Sequence, residues 1–86
     1  MNAAQLFENN PILKIPMSIE QLVDVKWITI KHTRNQLLAT SDWTQANDAV
    51  LTPAERTAWQ DYRQTLRDIP QDFINPDLVT FPRNPK

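Results

Sequence analysis

Eighty-six residues with nine basic and ten acidic side chains, no glycine and no cysteine, bound what this chain can be. Charges spread without blocks argue against a phosphate-gripping nucleic-acid surface and against attachment to an anionic membrane. The missing cysteines exclude disulfides and thiolate metal sites, and the missing glycines exclude both kinds of Gly-rich phosphate loop.

A chain of this length makes one domain at most. It buries only about 60–65% of the surface its unfolded form exposes, so its core is thin. Freedom from disulfides suits a reducing cytosol. No apolar run approaches the roughly 20 residues that span a bilayer. The N-terminus carries Glu8 and no basic stretch, so it does not read as a signal peptide. Without glycine the left-handed helix C-cap is lost, and seven prolines are left to punctuate the chain.

Residues 1–17 hold two short apolar clusters, Ala3-Ala4-Gln5-Leu6-Phe7 and Ile12-Leu13-Lys14-Ile15-Pro16-Met17, separated by Asn9-Asn10-Pro11. Pro11 and Pro16 forbid one continuous helix and favour extended backbone before each ring. Three readings stay open: a frayed terminus, a partner-binding arm, or docking on the chain's own helices. Leu6, Phe7, Ile12, Leu13 and Ile15 are too apolar for a solvated tail, and such segments often order against a partner. The segment is therefore taken as an extended partner-binding arm.

Ser18-Ile19-Glu20-Gln21 opens a helix expected over about 19–40. Ser18 can accept from the Gln21 backbone N–H while the Gln21 side chain reaches back, a capping box. Ile19, Val23, Trp27, Ile30, Leu37 and Leu38 follow helical spacing, with Arg34 breaking the stripe. The run Trp27-Ile28-Thr29-Ile30 is strand-prone. Helix is nevertheless expected, because Asn35 to Thr40 extends the same face with no turn signal between.

Ser41 to Leu51 reads as a connector, in which Asp42 is expected to cap the next turn through an Asx-type hydrogen bond. Trp43 should fold over the helix junction, since an indole in a polar loop needs apolar cover. Thr52-Pro53-Ala54-Glu55 then combines a Thr N-cap, Pro at the first helical position and Glu at the third. The second helix is expected over 53–68, stopped by Ile69-Pro70. Its apolar stripe is Ala58, Trp59, Tyr62, Leu66 and Ile69, with Arg63 and Arg67 near the negative end of the dipole. Beyond Pro70, Phe73 and Ile74 are available to pack. Leu78-Val79-Thr80-Phe81-Pro82 is compatible with a short strand or an extended strap, Val79 and Phe81 on one side.

Candidate chemistry is sparse. His32 is the one imidazole, and without cysteine or a second histidine it reads as a solvent-facing helix residue rather than a ligand. Ser41, His32 and Asp42 are common residues with no nucleophile elbow around them. The aspartates lack EF-hand spacing and its central glycine. Tyr62, Arg63 and Arg67 offer stacking groups for bases, but Asp61 and Asp68 cancel their field. No catalytic group, metal or cofactor is implied. Trp59, Tyr62 and Leu66 read chiefly as core. Because that core is thin, Trp27, Trp43, Trp59, Tyr62, Arg63 and Phe81 join the arm residues as candidate interface anchors, residue types favoured there.

The stretch Arg34-Asn35-Gln36-Leu37-Leu38-Ala39-Thr40-Ser41-Asp42-Trp43-Thr44 resembles the opening signature of the phage tail assembly chaperone family, often described as tail fibre assembly proteins. The resemblance continues through Asp48 and Leu51, through Trp59-Gln60-Asp61-Tyr62-Arg63-Gln64-Thr65-Leu66-Arg67-Asp68-Ile69-Pro70, and into Val79-Thr80-Phe81-Pro82-Arg83-Asn84-Pro85. It covers residues 34–86, with the combined spacing more specific than any one piece. Two departures are Asn47, where the family often has proline, and Phe81, where it often has tryptophan. Neither touches the helix signals.

The resemblance implies a non-enzymatic helper that binds a trimeric phage tail fibre protein in the host cytoplasm during assembly. Its alternative is a permanent fibre- or baseplate-bound subunit of the virion tail; an unrelated helical protein-binding module is a third reading. The expected architecture is mainly α: two amphipathic helices in a hairpin-like unit, flanked by the N-terminal arm and a C-terminal strap. Residues 18–86 form the helical domain and 1–17 the arm. Such a unit is marginal alone, so the chain is expected as a homo-oligomer or with its partner. Sedimentation of the purified chain checks this; a stable, cooperatively melting monomer would contradict it.

Overall fold

The computed structural model describes residues 1–85. It is mainly helical: α1 (Ala3–Glu8), α2 (Ile19–Thr40) and α3 (Pro53–Asp72), with 3-10 turns at Pro11–Lys14, Asp42–Gln45 and Pro76–Leu78. The hairpin of α2 and α3 is staggered. At 1.5 Å per residue the helices measure about 33 and 30 Å, whereas the molecule is 49 Å long and 22 Å wide. Its radius of gyration is 15.1 Å, against about 12 Å for a compact chain of this length.

Both expected capping boxes form. Ser18 Oγ accepts from Gln21 N at 3.1 Å while Gln21 Oε1 accepts from Ser18 N at 3.1 Å. Thr52 Oγ1 accepts from Glu55 N at 3.1 Å, and Glu55 Oε1 accepts from Thr52 N at 3.0 Å. Helix continues through the strand-prone Trp27–Ile30, since Ile30 is fully buried in the core cluster and the helix cannot break there without opening the core.

The N-terminal segment departs from the extended arm. Asn2 caps α1 with a box of its own, Asn2 Oδ1 accepting from Gln5 N and Gln5 Oε1 from Asn2 N, each at 3.0 Å. Pro11 starts the following 3-10 turn, where its missing N–H is one that has no partner in any case. Two prolines thus divide the segment without extending it. It docks on its own chain: Ala3 is fully buried, Ala3 N donates to the Val79 carbonyl (2.9 Å), and Phe81 N donates to that of Met1 (3.0 Å). An antiparallel bridge joins Asn2 to Thr80, and Asn10 Nδ2 donates to Thr29 Oγ1 at 3.0 Å.

Helix α3 also runs past its expected stop, to Asp72, with Pro70 inside. A proline near a helix end removes one donor and crowds one carbonyl. Ile69, almost fully buried, holds its own backbone helical against the bias that proline imposes on it. The core of α3 is Trp59, Tyr62, Leu66 and Ile69, while Ala58 is exposed. After α3, Phe73 is half-buried against the core but Ile74 is 97% exposed. Val79 and Phe81 turn inward together as the strap, and Lys26 pairs with Asp77 at 2.6 Å to hold the turn before it.

Removing the Thr52 hydroxyl by Thr52→Ala is expected to cost about 1 kcal/mol of stability, measured by urea unfolding. The Thr52 backbone N–H, and after it the hydroxyl, hold the Glu55 carboxyl below its usual 4.5. A depressed folded-state value contributes stability above pH 4.5 that is lost as pH falls through the lowered value. Glu55→Gln keeps the box and removes the charge, so it should flatten this part of the acid limb. Identical slopes below pH 4.5 in both chains would contradict the assignment. At the basic end, burial raises the Tyr62 phenol above 10.0, so that contribution is complete below pH 10 and fades above it.

Candidate functional site

Helix α2 has to end without glycine, and no described residue takes a positive φ. Its last carbonyls are met by side chains. The Ser41 hydroxyl donates to the carbonyls of Leu37 (2.9 Å) and Leu38 (3.1 Å). From α3, Arg63 Nη1 donates to the Leu38 carbonyl and to Ser41 Oγ, each at 2.6 Å, and Nη2 donates to Asp42 Oδ1 at 2.7 Å. Arg63 is 6% exposed, and its Nε finds no partner among the described residues. The guanidinium on α3 is therefore the C-terminal cap of α2.

Two expectations are corrected here. Asp42 does not close the connector turn: the Asp42–Gln45 turn has no side-chain cap, and the carboxylate accepts from Arg63 instead. The ion pair wins because the cation stands within reach, and a charged hydrogen bond exceeds a local Asx contact. Nor is Arg63 an exposed anchor beside the end of its own helix. A residue type favoured at interfaces is equally suited to capping a neighbouring helix, and spacing along one helix does not distinguish them.

The connector positions the indoles. Thr44 is buried with its hydroxyl donating to the Ser41 carbonyl at 2.6 Å, which fixes the turn and points Trp43 outward. Trp43 lies edge-on to Trp59, centroids 5.8 Å apart at 64°, and Trp59 edge-on to Tyr62 at 5.6 Å and 85°. Trp43 remains 46% exposed, so it covers the junction with one side only. Between Trp43 and the first turns of α3 lies a groove of about 390 Å³, lined by Leu51, Ala54, Ala58, Trp59 and, from the chain's C-terminal run, Pro85.

The other anchors divide by burial. Trp59, Tyr62 and Phe81 are at most 8% exposed and belong to the core. Their aromatic character signalled burial as much as binding, and the chain's own core claimed them. Leu6, Phe7, Leu13 and Trp27 are half-buried, Phe7 lying under Lys26 Nζ at 5.3 Å. Ile12 and Ile15 are exposed, as are Ile19 and Ile28 of α2. Ile19 and Val23 continue the apolar stripe but run off beyond the end of α3, which covers only the C-terminal part of α2. Sequence reasoning missed Val50, 97% exposed in the lining of the groove; an apolar residue leading into a helix start signal carries nothing in its spacing that tells core from surface.

Chemistry is limited by these commitments. The Ser41 hydroxyl is engaged by two carbonyls and a guanidinium, and His32 is exposed about 13 Å up the helix. Among the described residues, no group of three His, Asp or Glu side chains is placed to hold a metal ion, and no helix is long and apolar enough to cross a membrane.

A family model described as phage tail assembly chaperone protein matches residues 27–86, leaving α1 and the first turns of α2 outside. Comparison with curated proteins and with solved structures gave no match.

Replacing Arg63 by methionine leaves the Leu38 carbonyl and Ser41 without their buried donor and should cost about 1–3 kcal/mol in urea unfolding. Asp42→Asn weakens only the solvent-facing arm of the same contact, the Asp42 side chain being 67% exposed, and should cost less than about 1 kcal/mol. Equal losses would contradict a cap built on the carbonyl.

Proposed function

The chain belongs to the phage tail assembly chaperone protein family, and from that premise we propose that it binds a tail fibre polypeptide and assists its folding and trimerisation, without catalysis. The observation that carries the reading is apolar surface left outside on two parts of a thin rod. Ile12, Ile15, Ile19 and Ile28 stand out on the N-terminal segment and the first half of α2, Trp43 and Val50 on the connector, each between 46% and 97% exposed. A chain this small has too thin a core to bury most of its apolar residues, and large side chains left outside together are candidates for contact with another molecule.

The physical task fits. A β-rich trimeric fibre has high contact order, so its chains fold slowly and expose unpaired edges and apolar surface while they do. A small helical partner that covers such surface until the trimer closes suppresses edge-to-edge aggregation. The work belongs in the host cytoplasm, where the fibre is made. The N-terminal segment, with Ile12 and Ile15 outward, and the aromatic end of the hairpin are the surfaces assigned to it, whether the chain acts alone or as a homo-oligomer.

Co-expression of the fibre polypeptide with and without this chain tests the reading. Soluble trimer should rise severalfold when the chain is present; equal yields would remove the chaperone role. Finding the chain at fixed stoichiometry in purified virions would make it a lasting tail subunit instead.

A further inference from the structure

We propose that the Trp43–Trp59 groove is a proline slot. Its occupant is an extended, basic, proline-containing segment of the tail polypeptide, for which the chain's own C-terminal run competes. This rests on the reading above that the chain binds such a polypeptide.

The molecule supplies the model for the occupant. Phe81 is buried and its N–H is tied to the Met1 carbonyl, so the run Pro82-Arg83-Asn84-Pro85 leaves the core from a fixed point. These residues have neither helix nor strand structure, and Pro85 ends against the wall of the groove. Of the run's two prolines Pro85 lines the groove; in a free peptide, polyproline II backbone repeats every three residues and would put two prolines spaced this way on one side. Aromatic-lined grooves take such segments because the ring is apolar and its backbone is already restricted, so little entropy is lost on docking.

Shape and charge narrow the choice. The two indoles meet at 64° and form a V over a floor of small residues, Ala54 and Ala58. A groove of about 390 Å³ lies at the low end of the roughly 300–1,000 Å³ of ligand pockets. That suits a strand of two or three residues rather than a helix about 10 Å across. Between residues 42 and 62 the chain carries Asp48, Glu55 and Asp61 against Arg56, the charge of Asp42 being matched by Arg63. Arg56 is itself engaged by the Ala49 carbonyl at 2.8 Å. An acidic rim favours a basic guest, and the C-terminal run, with Arg83 and Lys86, is basic. Pro85 is itself exposed, so the run lines the slot without closing it.

The test uses the full chain and a synthetic peptide, Phe-Pro-Arg-Asn-Pro-Lys, followed through the tryptophan indole N–H signals. The peptide should shift Trp43 and Trp59 and leave Trp27 unmoved, and it should bind severalfold more tightly to Pro85→Ala, whose internal competitor is weakened. Ala58→Leu, which fills the exposed floor without touching the core, should abolish the shifts. Peptide with alanine for both prolines should bind severalfold more weakly. Absence of any indole shift at millimolar peptide, or equal binding of the alanine peptide, overturns the slot. Capture of the fibre polypeptide separates this from the function itself. If Ala58→Leu captures it as well as the unsubstituted chain, the slot is not the partner's site although the function stands. If the peptide binds as expected and no variant captures the fibre polypeptide, the slot stands and the fibre reading falls.

Discussion

A helix that ends without glycine leaves carbonyls pointing at nothing, and in this chain a guanidinium from the next helix answers them. Four C=O groups lack partners at any α-helix C-terminus, where the dipole is also negative. Arg63 brings a buried positive charge to that place and ties the Leu38 carbonyl, Ser41 and Asp42 into one contact. A partly buried cation there contributes up to about 2 kcal/mol. The arm toward Asp42 matters less, because water reaches that carboxylate and screens it. Since the contact joins the end of α2 to the middle of α3, it also sets the register of the hairpin.

From that register the rest follows. Fixing Leu38 opposite Arg63 leaves the first turns of α3 projecting beyond α2 at one end, and the first turns of α2 beyond α3 at the other. The projecting end of α3 carries the connector, with Trp43 edge-on to Trp59. The projecting end of α2 is covered on one side by α1 and the turns of residues 11–14 and 76–78, zipped to each other through Ala3, Val79, Met1 and Phe81. Neither end is covered all round, and this is why a thin-cored rod 49 Å long keeps Ile19, Ile28, Trp43 and Val50 outside.

Local signals were legible where the physics was local. Ser18 with Gln21, and Thr52 with Pro53 and Glu55, set both long helices because a capping box involves four consecutive residues. Leu66 and Ile69 repeat at helical spacing, and Val79 and Phe81 alternate as a strap should. Signals failed where distant groups decided. Pro11 marked a break, yet it could start a turn as readily as forbid one. Pro70 lost to the burial of Ile69. Asn2 with Gln5 makes a third capping box in the segment expected to be extended, because Pro11 and Pro16 constrain only the residues next to them and leave Ala3–Glu8 free to be helical. The inward turn of Arg63 was illegible, since its partners lie 21 to 25 residues away. Of the candidate anchors, Ile12, Ile15 and Trp43 are the ones left largely outside. Apolar side chains in a short sequence do not announce whether the chain's own core or another molecule will take them.

The central claim is that Arg63, buried and held on two sides, locks the end of the hairpin and with it the aromatic groove. Nitrogen-detected spectra of the arginine side chains test it most directly. Arg63 should show separate Nη1 and Nη2 signals in slow exchange with water, with a coupling across the hydrogen bond to the Leu38 carbonyl carbon. A single averaged Nη signal for every arginine, exchanging freely with solvent, would contradict the account.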